Sequence, residues 1–536
     1  MTSKRMGYPL YESGWSTEAP LLDSGVNHLL SCNNYIIKKN ILESRKGLLL
    51  SASTTEQVKT LIPIEEHGLV LACTDSSIHC YSEDVNGLAL IDTFTGFSIG
   101  DWRWVNMNHC IIMVNGQDKA QIVKVTATDT ISVTIEDWNV TGLPNTNTVL
   151  SWVSILNAQI ATGYGNDLVA YYLEPGFVEG ELKAFDIGSA AGHGTLRKGG
   201  NIITGFNISR DSGENLNSYI GFLSDNGEAI IYSGNDLGDP NNITFNGVYQ
   251  TGYALGKTPL LNWSGDLIIM TNKGFISAHS IFANGEDQKA QYIFSQQINT
   301  WVLEQSARYG ALDGWFATAL PTEDIIWFNI PQSGGRFVQA IMNISSGKWS
   351  MFSEIDTTSV ITINNKVYIA LKDGVYLFSD SYPTTQYIPL EVQTAYTNLG
   401  SELLKRLNML MIRHQSTSNI NLAFTIYKDF ESFPYYNWVD ISTTTPSLAD
   451  EGFMWSDYPL PDDPTEGTAY WDDGTDAPGT AYWSGGGVGD LTPYSNVYSG
   501  SGLGHNFSIK ITALVSGVKH KVIDLNLLFS ISNTAI

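Results

Sequence analysis

The chain is written in short runs of alternating apolar and polar residues, broken every few positions by Asn, Asp or Gly. The stretch 219–279 shows the pattern most clearly. There YIGFLS and EAIIYSG flank Asp225-Asn226-Gly227, while DLIIMT and FISAHS flank Asn272-Lys273-Gly274. Asn and Gly accept positive φ at little cost, so each pair predicts an antiparallel hairpin. Between them lie the turn Asp239-Pro240 and another alternating run, TFNGVYQTG. A lone hairpin cannot bury its apolar face, whereas several stacked radially can. The pattern therefore predicts an all-β chain whose main body is a β-propeller.

Hairpin signals recur with starts at Gly68, His109, Ser154, Tyr219, Asp266, Asp324 and Ser359. Their uneven spacing brackets the roughly 40–50 residues of known propeller blades and predicts six or seven blades over 48–385. Turn dipeptides sit where hairpins need them, at Asn86-Gly87, Asn115-Gly116, Asn226-Gly227, Asp313-Gly314 and Asp373-Gly374. Helical periodicity is almost absent. Its best candidate, SELLKRLNMLMI at 401–412, reads equally well as a strand.

The ends of the chain differ from its middle. Residues 1–47 read as an N-terminal arm that either closes the last sheet or docks on a neighbouring chain, with Arg45 and Lys46 as its docking candidates. Residues 386–536 read as a second, sandwich-like β domain. In it LKRLNMLMIRHQ and INLAFTIYKDF form a strand pair around 416–419, and NFSIKITALVSG and HKVIDLNLLFSI a terminal pair.

Charge changes this picture in one place. The whole chain of 536 residues is only 15% charged, with 54 Asp+Glu against 29 Lys+Arg and a net charge of −25. That sign opposes gripping nucleic acid by its phosphates but suits a wall past which DNA slides. The segment 429–509 contains no Lys or Arg, and thirteen acidic residues fall between Asp429 and Asp490. GTAYW occurs in it twice, at Gly467 and Gly479. It reads as an acidic, aromatic-rich insertion whose Asp462, Asp463, Asp472, Asp473 and Asp476 are candidates to face a lumen or a partner.

Candidate chemistry adds little. Cys32, Cys73, Cys80 and Cys110 form no CxxC pair and are expected as free, buried thiols formed in a reducing compartment. The first residues lack the apolar stretch of a secretory signal, and no run is long enough for a spanning helix. HExxH and GxSxG motifs are missing. Asp472-Asp473-Gly474-Thr475-Asp476 has the oxygens that Ca²⁺ prefers, but without the downstream Glu of an EF-hand loop it reads as a solvated acidic loop. SRDSGENL (209–216) and YKDFESFPYYNW (427–438) faintly resemble the Asp-box turns of sialidase propellers. A sialidase also needs an arginine cluster and a Tyr nucleophile, which nothing in the sequence marks. The expectation is a protein without catalytic residues, cofactor or metal.

Taken together, SRKGLLLS (44–51), IIMVNGQD (111–118), LVAYYLEPGFVEGELKAFDIG (168–188), NISRDSGENLNSYIGFLSDNGEAIIYSGNDLGDP (207–240), GYALGKTPLLNWSGDLIIMTNKG (252–274) and FVQAIMNISSGKWSMFS (337–353) resemble the tail-nozzle proteins of short-tailed bacteriophages, also called tail tubular protein B or packaged-DNA stabilisation proteins. The resemblance covers residues 40–390 well and the remainder loosely, and the acidic GTAYW segment departs from it. It implies a propeller with added β domains, assembled in the host cytoplasm into a hexameric ring in the virion, below the portal and adaptor. Such a ring extends the DNA channel, retains the packaged genome, conducts it during ejection and carries fibres or spikes. The rival expectation is a receptor-binding or glycan-degrading tail protein.

Overall fold

A computed structural model describes residues 3–531 apart from 9–12, 20, 22–27, 40, 85–86, 128–130, 145–148, 188–195, 212–215, 240, 279–292, 381–386, 419, 431–435, 440–490 and 500–502. The chain divides into two compact units, one formed by Leu48–Ser381 and the other by Met1–Gly47 together with Tyr382–Ile536.

Leu48–Ser381 is a β-propeller of seven sheets. Within a blade, strands that follow one another in the chain pair antiparallel, because short turns join neighbours far more readily than long crossovers do; the exceptions are the outer strand of the seventh sheet and a small parallel pair outside the blades, Val140–Thr141 with Gly180–Glu181. The innermost strands are Thr60–Ile64, Arg103–Met107, Trp152–Leu156, Ile202–Asp211, Leu260–Trp263, Phe316–Leu320 and Ser359–Ile363. The sequence left six or seven blades open; the described residues form seven. Hairpin registers follow the turn signals at 115–116, 226–227 and 373–374, whereas Asp313-Gly314 is corrected: it lies in the connection that leads into Phe316–Leu320 and not in a hairpin. Around Gly227, at φ 76°, Leu216–Ser224 pairs with Glu228–Ser233, and Leu223 lies opposite Ala229. A Cβ on Gly227 would lie 2.4 Å from the carbonyl carbon of Gly252, so the turn excludes any side chain.

Middle strands such as Leu69–Cys73 and Ile325–Pro331 are buried along their whole length. Both their faces are covered by neighbouring sheets, which is why they read as continuous apolar runs rather than as strict alternation. The core is accordingly a set of wedges between blades. Ile112, Val114 and Ile122 of the second sheet meet Val153, Ile160 and Tyr171 of the third. Trp152 and Leu156 of the third meet Ile220, Phe222 and Tyr232 of the fourth.

Closure is made by a strand from the beginning of the chain. Gly47–Ser53 is the outer strand of the seventh sheet, beside Gly374–Ser379. A meander of three strands ending at Ser379 would leave an edge, and pairing with a distant segment removes it. The fifth sheet has three strands, and the α-helix Asn299–Tyr309 precedes the sixth. Sequence periodicity missed this helix because its buried stripe is only Val302, Gln305 and Ser306, with one apolar member.

The second unit holds two corrections. Residues 1–47 are not a separate arm: Ser3–Tyr8 and Ile41–Ser44 pair with His520–Ile531, and Leu29–Asn33 pairs with Tyr387–Thr394. Nor do 405–416 and 422–428 form a hairpin. Lys405–Ser416 is a strand, resolving the helix alternative, and pairs with His520–Ile531 and Thr492–Ser499. Leu422–Lys428 pairs with Phe507–Ser516 in the other sheet. Alternating burial along Lys405–Ser416 shows one face inward, and each short connection crosses between sheets instead of folding back within one.

Candidate functional site

The innermost strands of the propeller surround a cavity of about 620 Å³, walled by 60–61, 103–105, 153–155, 204–207, 260, 316–318 and 359–361. Neighbouring strands are tied where they begin. Trp102 N donates to Thr60 Oγ1 at 3.0 Å, Leu61 N to Ser359 Oγ at 3.0 Å, and Thr358 Oγ1 to the Val58 carbonyl at 2.6 Å. Ser154 and Thr204 hydroxyls lie 3.2 Å apart. These bonds satisfy polar groups that the cavity would otherwise strand and tie the seventh sheet to the first, the first to the second and the third to the fourth.

One end of the cavity is charged. Lys257, before the fifth sheet, is ion-paired with Asp101, before the second, and lies 3.5 Å from Asp313, before the sixth. In a ring of seven, the second and fifth sheets face each other, so the Asp101–Lys257 pair crosses the channel mouth. Arg103, on the second sheet, reaches the Ile203 carbonyl of the fourth at 3.5 Å. Among the described residues that long bond is its only one, leaving Nε and Nη2 without a hydrogen-bond partner. Burial pulls its pKa down from 12.5 to about 10 against the opposing pull of Asp101 and Asp313, so it stays cationic at neutral pH. Lys59, the third cation in the wall, donates to Gln57 Oε1 at 3.2 Å. At the opposite end Asn207 Nδ2 donates to Asn157 Oδ1 at 3.4 Å, giving an uncharged rim.

Sequence reasoning missed this site. Lys59, the Asp101–Arg103 segment and Lys257 come from three distant stretches of the chain, and no spacing announces them. The residues it did choose fall elsewhere. Asp462, Asp463, Asp472, Asp473 and Asp476 lie outside the described residues. Arg45 is corrected: it is fully buried, with Nε donating to Asn34 Oδ1 at 2.9 Å and Nη1 to the Lys46 carbonyl at 3.0 Å, so it is no surface docking group. Lys46 is half-buried. Cys32, Cys73 and Cys80 are buried free thiols, and Cys110 is half-buried. No group of three His, Cys, Asp or Glu among the described residues could hold a metal. The channel wall carries one arginine and one carboxylate, Asp101, which differs from both the arginine cluster of sialidases and the paired carboxylates of other glycosidases.

No protein-family model and no curated protein matches the chain. Among solved structures, the WD40 β-propeller domain of Doa1 aligns over 62% of this chain and 97% of its own, with a TM-score of 0.36 and 12% identity. Chaetomium thermophilum Raptor aligns over 63% of this chain and 29% of its own, at TM-score 0.39 and 10% identity. The computationally designed Ika8 protein aligns over 62% and 99%, at 0.34 and 11%. No helix among the described residues is long and apolar enough to cross a membrane.

Proposed function

We propose that this protein is a virion structural component of the tail-nozzle type, acting as a ring of six below the portal and adaptor to retain and conduct packaged DNA. The observation that carries the reading is the run of matching segments across residues 40–390 in a chain of net charge −25. Its architecture agrees with such a role: a closed propeller joined to a two-sheet unit into which both ends of the chain are woven.

In this reading the conduit lies between subunits and not within one propeller. A cavity of about 620 Å³ has the size of a small-molecule cleft, and its wall carries three cations, Lys59, Arg103 and Lys257, against one carboxylate. An acidic wall outside it would repel phosphates, so that a duplex neither binds nor stalls; a basic wall would hold DNA by counterion release. The Lys/Arg-free segment 429–509 supplies such a surface.

Electron microscopy of the purified chain tests the reading. Rings of six that cap a portal–adaptor complex are expected. A monomer without affinity for that complex, or a trimer that hydrolyses surface polysaccharide, overturns it. Charge reversal of Asp472, Asp473 and Asp476 is expected to impair ejection, and unchanged ejection would remove the segment from the conduit.

A further inference from the structure

We infer that the charged end of the propeller channel is a binding site for a small oxyanion, a phosphate or a compact carboxylate, anchored by Arg103. The first support is the unused donor capacity of that residue. Its guanidinium is drawn into the channel from the second sheet, and Ile203, on the fourth, takes only a 3.5 Å bond. A guanidinium presents five donors in a planar fork matched to oxyanions, and those of Arg103 that Ile203 does not take line the channel, where an anion can reach them.

The second support is local charge. Lys59, Arg103 and Lys257 stand against Asp101 and Asp313, three cations to two carboxylates, in a chain whose net charge is −25. Both carboxylates are engaged by Lys257 and neither bonds to Arg103. The third support is shape. The cavity lies within the 300–1,000 Å³ range of small-ligand clefts, and Trp104, Phe206 and Phe316 contribute to its wall. Crossing the mouth, the Asp101–Lys257 pair can exchange its lysine to an arriving anion without moving backbone. Each feature depends on the propeller unit alone.

Calorimetric titration of the full chain with sodium phosphate, and separately with sodium citrate, tests this at neutral pH and constant ionic strength. One saturable site per chain is expected for at least one of the two anions. Its affinity should fall about tenfold or more in Arg103→Gln, as loss of a charge-assisted bond requires, and stay unchanged in Lys119→Gln, whose ammonium pairs with Asp137 on the exposed surface. A measurement on the unaltered protein covers the case in which Arg103→Gln fails to fold: the binding anion should protect Arg103 from phenylglyoxal, mapped by mass spectrometry. Absence of saturable binding of both anions, binding that Arg103→Gln retains in full, or unchanged phenylglyoxal labelling of Arg103 at saturating anion overturns the proposal.

Discussion

Glu83 in the first sheet of the propeller and Lys366 in the seventh form an ion pair at 2.6 Å. Asn364 Nδ2 donates to the same carboxylate at 2.7 Å and the Tyr368 hydroxyl at 3.2 Å, and the Glu83 side chain is only 8% exposed. Burial opposes ionisation of Glu83, but the bonds from Lys366, Asn364 and Tyr368 outweigh it and hold the group below its ordinary carboxylate range. The first and last blades are thus joined by a charge-assisted network as well as by apolar packing of Val70 and Tyr81 against Ile363 and Tyr368.

Glu83→Gln should lower the stability of the propeller by about 2 kcal/mol, the usual worth of hydrogen bonds to a charged group. Urea unfolding measures it. Lys119→Gln, which breaks an exposed pair, should stay within about 0.5 kcal/mol. Equal effects of the two variants would remove Glu83 from ring closure.

Gly374 has φ 155°, and a Cβ there would lie 2.2 Å from the Ala52 carbonyl oxygen. Gly374→Ala must therefore displace the closing strand Gly47–Ser53 or strain its own backbone, at a cost of about 3 kcal/mol. Hydrogen exchange should quicken selectively in 47–53 and in the neighbouring strand of the seventh sheet. Uniform quickening across all blades would contradict the assignment of this strand as the closing element.

The second unit should respond to acid before the propeller does. His414 and His520 are buried with ring centroids 5.1 Å apart, and His414 stacks on Tyr494 at 5.2 Å. The His520 Nδ1 lies 2.9 Å from the Tyr35 hydroxyl, while both ring nitrogens of His414 are without a partner. Burial pulls the pKa of His414 from 6.5 to about 4, and burial together with the positive charge that His414 would carry pulls His520 down as well. Because the unfolded chain binds these protons more readily, stability is full above about pH 6.5 and falls as pH drops from there towards 4. His414 alone should cost about 2 kcal/mol at pH 5. The pKa of Glu83 is shifted downward too, but from a lower starting value, so its contribution is lost only as pH falls below 4.5. Hydrogen exchange at pH 5 should thus rise in 405–416 and 520–531 and not in the propeller. His414→Leu should flatten that response at no cost near neutrality, since the ring's nitrogens make no bonds to lose.

Thiol labelling should separate Cys110 from the other cysteines. Burial raises the pKa of all four thiols, that of Cys80 to about 12, but Cys110 alone is half-buried. Iodoacetamide should modify Cys110 slowly in the native chain and all four after denaturation. Rapid native labelling of Cys73 would mean that the first sheet opens.

Much of the propeller was legible along the chain, and the reason is local. A two-residue turn such as Asn226-Gly227 needs positive φ, and the apolar runs beside it need a partner within a few residues, so sequence neighbours become strand neighbours. Where pairing is long-range, adjacency along the chain misleads. Lys405–Ser416 and Leu422–Lys428 look like one hairpin, yet they lie in different sheets because their partners arrive some hundred residues later, with His520–Ile531 and Phe507–Ser516. Arg45 looks like a surface charge for a different reason: its partner Asn34 lies only eleven residues away, but it meets Arg45 only once Tyr35–Lys38 and Ile41–Ser44 have paired.

By itself the sequence determined strand content, turn positions, the free thiols and the excess of negative charge, all properties of composition or of short segments. Only tertiary structure decided that seven sheets close, that the beginning of the chain supplies the last strand, and that Asp101 meets Lys257 across the channel. Those outcomes depend on residues far apart in the chain, where side-chain type constrains little until the backbone has brought the partners within bonding distance.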